Sequence, residues 1–193
     1  MTTPPKTLVV TVGTTSFDAL IRVVDTAAFH HIAKGHGFGR AIFQIGTGNL
    51  LPNGFGVEGI NPLVRKSETS QNQRQQYLNV TVYRFSQNWI EDLQNADLVI
   101  GHAGAGTILE VLRMNKHLLV VINESLMENH QRQIGDKLEA GGYLYTATPS
   151  TLLSVFESLM SKKFKSWPKA STSPLYAIIE NLTGVDVALP QTL

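Results

Sequence analysis

The segment Asp97-Leu98-Val99-Ile100-Gly101-His102-Ala103-Gly104-Ala105-Gly106-Thr107-Ile108-Leu109-Glu110 reads as a buried strand, a turn of small residues and the opening of a helix. Small residues around that turn let an anion come close to backbone amides, and the helix dipole favours its negative charge. Thr107 and Glu110 are three apart and share a face, while Ile108 and Leu112, four apart, define a core-facing stripe. A carboxylate so placed can accept two hydrogen bonds from a vicinal diol, as acidic residues do in dinucleotide sites. A tight turn followed by a solvated Glu110 is the plainer alternative.

Outward from this segment, short β-branched runs alternate with helical patterns, which predicts an α/β fold with a largely parallel sheet. Toward the amino end, strands are expected at Thr7 to Val12, Ala41 to Ile45 and Val80 to Phe85. Helices are expected at Ser16 to Lys34 and Trp89 to Asn95, and the Gly-, Pro- and amide-rich stretch 46–76 reads as a long loop. Toward the carboxyl end follow a helix to Met114, a strand Leu118 to Ile122 and a helix Asn129 to Ala140 stopped by Gly141-Gly142. A strand Tyr143 to Tyr145 and helices Ser150 to Met160 and Leu175 to Leu182 complete the pattern. One domain over 1–193 is expected, with 163–193 a C-terminal connector and helix.

Open α/β sheets bind ligands at the carboxyl ends of their strands, so two further strand ends are candidates. Val12-Gly13-Thr14-Thr15-Ser16 joins a strand to a helix and suits a phosphate, or is a plain turn with Thr or Ser as helix cap. Asn123 to Gln131 gathers amides, acids and His130, donors and acceptors fit for sugar hydroxyls. Asn129 as a helix cap, with His130 and Gln131 exposed, fits the same stretch.

Composition narrows the function. Only 16% of the 193 residues are charged, below the roughly 25% of ordinary domains, which is compatible with surface covered by a partner. A net charge of +1 lacks the basic footprint of a nucleic-acid binder, and a chain without cysteine has neither disulfides nor thiolate metal sites. The start lacks the flank and apolar core of a signal peptide, and no apolar run approaches the roughly 20 residues that span a bilayer, so a cytoplasmic protein is expected. The dinucleotide fingerprint fails, because Gly46-Thr47-Gly48 is followed by Leu51 where the third glycine belongs. No Gly-x-Ser-x-Gly element occurs, and His30, His31 and His36 lack a coherent ligand set, so they read as the surface of a helix and its end.

The pattern Asp97 to Glu110, then Asn115-Lys-His-Leu-Leu-Val-Val121, then Glu128-Asn-His-Gln131, resembles the catalytic subunits of the eukaryotic UDP-N-acetylglucosamine transferase of the dolichol-linked oligosaccharide pathway. It is also similar to the C-terminal, donor-binding half of GT-B glycosyltransferases, and the resemblance covers about residues 7 to 145. It implies a Rossmann-like domain with helices on both faces of its sheet. It further implies that Gly13, Thr14 and Thr15, with Gly104, Ala105, Gly106 and Thr107, face the donor diphosphate. Glu110 would hold the uridine ribose, and Asn129, His130 and Gln131 the transferred sugar. His102 would lie near the phosphates, although a core or turn role fits it equally.

The implied reaction moves N-acetylglucosamine from UDP-N-acetylglucosamine to N-acetylglucosaminyl-diphosphodolichol, inverting to a β1,4 linkage. No cofactor and no metal are expected, since the chain has no Asp-x-Asp pair and a helix start can meet the diphosphate charge. One set of strands leaves no room for an acceptor domain. The resemblance therefore implies a membrane-anchored acceptor-binding glycosyltransferase subunit as partner, the lipid-linked acceptor reached through it, and recruitment to the cytosolic face of the endoplasmic reticulum. The segment Lys162-Lys-Phe-Lys-Ser-Trp-Pro-Lys169, with four lysines, two aromatics and no acid, suits an anionic membrane or is an ordinary connector. A split glycosyltransferase with another nucleotide sugar and acceptor, or a noncatalytic nucleotide-sugar-binding module, are the alternative functions.

Overall fold

In a computed structural model, residues 4–52, 77–124 and 129–168 are described, with 129–131 described through their backbone alone. The expected helix at Leu175 to Leu182 and most of the expected 46–76 loop lie outside these residues.

The first strand, β1 (Lys6–Thr11), is apolar on both faces because it sits inside a parallel sheet covered on two sides. It pairs with β2 (Phe38–Gln44) on one flank and β4 (Leu98–His102) on the other. With β3 (Asn79–Tyr83), β5 (Leu118–Val121) and β6 (Tyr145–Ala147), these form one six-stranded sheet of order β3-β2-β1-β4-β5-β6. Every pairing is parallel. Chain order reverses between β1 and β4, and their register aligns Thr11 with Gly101, so both strands end level at this switch point.

Alternation along β1 divides the core. Leu8, Val10 and Val12 join one apolar layer with Leu20 and Ile21 of α1 (Asp18–Val24), Phe29 of α2 (Ala27–Gly35) and Phe156 of α6 (Leu152–Leu159). Val9 faces the other layer, with Leu93 of α3 (Trp89–Gln94), Ile108 and Val111 of α4 (Ala105–Arg113), and Ile134 and Leu138 of α5 (Asn129–Ala140). Helices thus cover both faces, as a Rossmann-like sheet requires.

The structure corrects several expectations. The single helix over Ser16 to Lys34 is two, because the Thr26 hydroxyl accepts from Phe29 N–H at 3.3 Å and starts α2 as its cap. The last strand begins at Tyr145, since Gly142, at φ 77°, and Tyr143 N–H, donating to Leu138 O at 3.1 Å, still close α5. Residues 162–168 pack on their own domain: Phe164 stacks on His117 at 4.2 Å, and Trp167 is buried against Tyr143 with its backbone N–H donating to Asn115 Oδ1 at 2.9 Å. Lys162 lies over the Tyr145 ring, and Lys165 over Tyr143. The aromatics of this segment therefore strap the domain's edge. No helix among the described residues is long and apolar enough to cross a membrane.

His30 is not helix surface. It is fully buried, and its Nδ1 accepts from Leu78 N–H at 3.2 Å, tying α2 to the start of β3. His31 is exposed, and His36 meets Phe156 edge-on. Burial pushes the His30 imidazole down to about 4, from an ordinary 6.5. Unfolded chain therefore binds the proton more readily, and stability present above pH 6.5 is lost as pH falls toward 4. The loss attributable to this group is about 3 kcal/mol at most. In His30→Gln, whose side-chain carbonyl can still accept from Leu78, urea midpoints measured across that window should fall less steeply.

Candidate functional site

Four strand ends, those of β1, β2, β3 and β4, border one cleft beside the switch point. After β1, Gly13 adopts φ 63°, a left-handed conformation that glycine tolerates, and its N–H donates to Thr11 Oγ1 at 2.9 Å. Thr15 Oγ1 donates to Val12 O at 3.0 Å, closing the turn. The buried Gln44, at the end of β2, locks this arrangement: its Nε2 donates to Gly13 O at 3.1 Å, while its Oε1 accepts from the Thr11 hydroxyl. Gly46 follows with φ 53°, and a Cβ there would lie 2.2 Å from Thr15 O, so the β2 loop rests directly on the β1 turn. Arg84 completes the buttress by donating to Gly46 O at 3.0 Å and Gly48 O at 2.8 Å.

After β4, His102 leads into Gly104, the cap of α4, which has no side-chain hydrogen bond to the helix start. The first-turn N–H groups lack intrahelical acceptors and carry the positive end of the dipole. The His102 imidazole is wedged between two glycines. A Cβ on Gly13 would meet its Cε1 at 2.6 Å, and one on Gly104 would meet its Nε2 at 2.2 Å. Its Nδ1 is buried without a partner among the described residues, and burial holds its pKa below the ordinary histidine value.

The third wall comes from the connection after β3. Phe85, 56% exposed, and Ser86 lead to Trp89, whose indole N–H donates to Glu110 Oε2 at 2.9 Å. Tyr83 donates to Asp92 Oδ2 at 2.6 Å and so fixes α3 to the sheet; burial, then Asp92, raises the Tyr83 phenol well above its ordinary range.

Together these segments line a cleft of about 450 Å³. Of the residues singled out in the sequence, Gly13, Thr14, His102, Gly104, Gly106, Thr107 and Glu110 border it. Ala105 instead packs on the apolar layer containing Val9, and the hydroxyl of Thr15 is engaged by Val12. Asn129 begins α5, but the side chains of Asn129, His130 and Gln131 lie outside the described residues. Gln44, Phe85, Ser86 and Trp89 border the cleft as well, and sequence reasoning missed them. An amide ending the apolar run Ala41-Ile-Phe-Gln44 is the one signal that points to Gln44. The described lining contains no lysine or arginine, so an anion there would be met by backbone N–H groups and the dipole of α4.

A parallel sheet with helices on both faces and a cleft at its switch point is the Rossmann-like half-domain of the GT-B architecture. The Acinetobacter baumannii MurG structure shares the fold at a TM-score of 0.56 and 18% identity, over 83% of this chain and 42% of that one. The NMR solution structure of ALG13 matches at a TM-score of 0.63 and 28% identity, over 95% of this chain and 96% of that one. The family model for the glycosyltransferase family 28 C-terminal domain matches residues 7–182, and the chain belongs to that family. Among curated relatives, the human UDP-N-acetylglucosamine transferase subunit ALG13 is 41% identical over 74% of this chain, which spans 11% of the human protein's length. The Cryptococcus neoformans subunit of the same name is 31% identical over 94% of this chain and 98% of its own.

The clamp on His102 makes the two glycines of the α4 turn unequal. Gly104→Ala forces the imidazole or the turn to shift, at about 1–3 kcal/mol by the usual scale of overpacking. Gly106 has open space around its Cβ position, so Gly106→Ala should be neutral or stabilising. Thermal unfolding and the His102 ring resonances should both change in the first variant and in neither respect adversely in the second.

Proposed function

We propose that the cleft binds UDP-N-acetylglucosamine and that the chain is the donor half of a two-chain glycosyltransferase. The observation that carries this reading is the meeting of two small-residue turns, a helix start and an oriented carboxylate at one switch point. The N–H groups opening α4 and the Gly13 turn would face the diphosphate, Glu110 the ribose diol, and the exposed ring of Phe85 beside Trp89 the flat base. His102 would stand near the phosphates, and Asn129, His130 and Gln131 would bind the sugar. The name carried by the relatives, a UDP-N-acetylglucosamine transferase subunit, supports both the donor and the need for a partner.

In the reaction, the acceptor 4-hydroxyl passes its proton to a base, for which His102, His130 and a group of the acceptor subunit are the candidates, and attacks the anomeric carbon from the face opposite UDP; the C–O bond to the β-phosphate breaks, UDP leaves with that electron pair, and the anomer inverts. Charge grows on the departing β-phosphate, where preorganised N–H donors act most strongly because they need not reorient. The acceptor is N-acetylglucosaminyl-diphosphodolichol, presented by a membrane-anchored glycosyltransferase subunit at the cytosolic face of the endoplasmic reticulum. With the 162–168 strap folded onto its own domain, the partner contact is assigned to 173–193.

Two measurements test these assignments. In the complex reconstituted with the acceptor subunit, Glu110→Ala should lower transfer by tenfold or more, about the worth of a hydrogen bond to a charged group, while leaving thermal stability close to wild type. Unchanged kinetics would remove Glu110 from the donor site, and binding without any transfer would favour a noncatalytic module. Deleting 173–193 should weaken co-purification with the acceptor subunit more than it weakens UDP binding; undiminished association would exclude that segment as the contact.

A further inference from the structure

We infer that Trp89 is a positioning residue that orients the Glu110 carboxylate, and that the pair makes the cleft select ribonucleotides over deoxyribonucleotides. The inference rests on the donor-site reading above and extends it to a residue that makes its effect through Glu110.

The two partners are 21 positions apart and belong to different helices, each anchored separately in the core. Glu110 is half-buried on α4, beside the fully buried Val111 and the buried Leu112. Trp89 opens α3, which Leu93 anchors from within and the Tyr83–Asp92 hydrogen bond anchors from β3. The indole is itself half-buried and packs against the apolar layer beneath the cleft. Its N–H therefore approaches Glu110 from a fixed direction, at 2.9 Å.

That direction has chemical consequences. The terminal torsion of a glutamate is broad, so an unrestrained carboxylate turns easily about its last bond. Accepting from a vicinal diol requires both hydroxyl protons to find oxygen lone pairs in one plane, and free rotation would weaken that match. Indole N–H is a donor only. It engages Oε2, leaves Oε1 and the remaining lone pair of Oε2 for hydroxyl protons, and offers those hydroxyls no competing acceptor. Phenylalanine at the same place would keep the wall of the cleft and lose the restraint. A sugar lacking the diol would gain nothing from the restraint, which is why discrimination reports on it.

The test is calorimetric titration of the full-length chain with UDP and with 2′,3′-dideoxy-UDP, alongside thermal unfolding. Wild type should prefer UDP by about tenfold or more. In Trp89→Phe, UDP affinity should fall toward that of the dideoxy nucleotide, whose own affinity stays unchanged; Trp89→His, which regains a ring N–H, should recover part of the preference. Glu110→Gln should lose the preference too, and adding Trp89→Phe to it should cause no further loss. In the reconstituted complex the Trp89→Phe effect should fall on KM for the donor rather than on kcat. Undiminished preference in Trp89→Phe, or equal weakening of both nucleotides, would overturn the inference while leaving the donor site standing. A wild-type chain that binds neither nucleotide would overturn the donor-site reading and this inference together. Should Trp89→Phe fail to fold, the partial recovery or complete loss of preference in Trp89→His decides the matter.

Discussion

The reversal of strand order between β1 and β4 is the constraint on which the rest of this molecule depends. Parallel strands leaving the sheet in opposite lateral directions cannot cover the gap between their own carboxyl ends, so a crevice opens there. This chain fills the floor of that crevice with one imidazole. His102 occupies space that neither Gly13 nor Gly104 could yield if it carried a Cβ, which couples the two turns into one surface. The hydrogen bonds among Thr11, Gln44 and Gly13 then fix the first turn from the neighbouring strand, so three strands hold the shape that any ligand would meet.

Around the crevice, apolar layers on both faces of the sheet hold the pieces in place. One consequence lies far from the site. The sequence 162–168 combines lysines and aromatics in a pattern that a membrane surface would also accept, yet its aromatic rings find partners in His117, Tyr143 and Tyr145. Burial of Trp167 removes large apolar area from water, a gain of a few kcal/mol at the usual 25 cal/mol/Å². Its lysines are left at the rim, two of them over tyrosine rings. Local composition described the ingredients correctly, but only the fold shows that the aromatic rings pack on the domain's own edge.

Much of the fold was legible before any coordinates. Runs such as Leu8-Val-Val10 and Leu118-Leu-Val-Val121 are too short for helices and too apolar for half-exposed strands, which leaves a parallel sheet with both faces covered. The Gly-rich turn ahead of Thr107 and Glu110 likewise announces itself, because small residues between a strand and a helix have a backbone reason to be there. Element ends were less legible, and the break at Thr26 shows why: a hydroxyl that caps one helix looks, in sequence, like a polar position on a longer one.

What tertiary structure alone decided is the set of contacts made across large separations in the chain. His30 reads as helix surface until Leu78, 48 positions away, supplies the N–H that its buried nitrogen accepts. Gln44 and Trp89 reach the cleft from β2 and α3, and no local periodicity distinguishes an amide or indole aimed at a crevice from one aimed at solvent. Sequence determined the alternation, the parallel sheet and the candidate turns, since these follow from short-range periodicity and backbone sterics. Only folding determined which side chains face one another there, since that depends on strand order, and strand order brings together residues whose spacing carries no period.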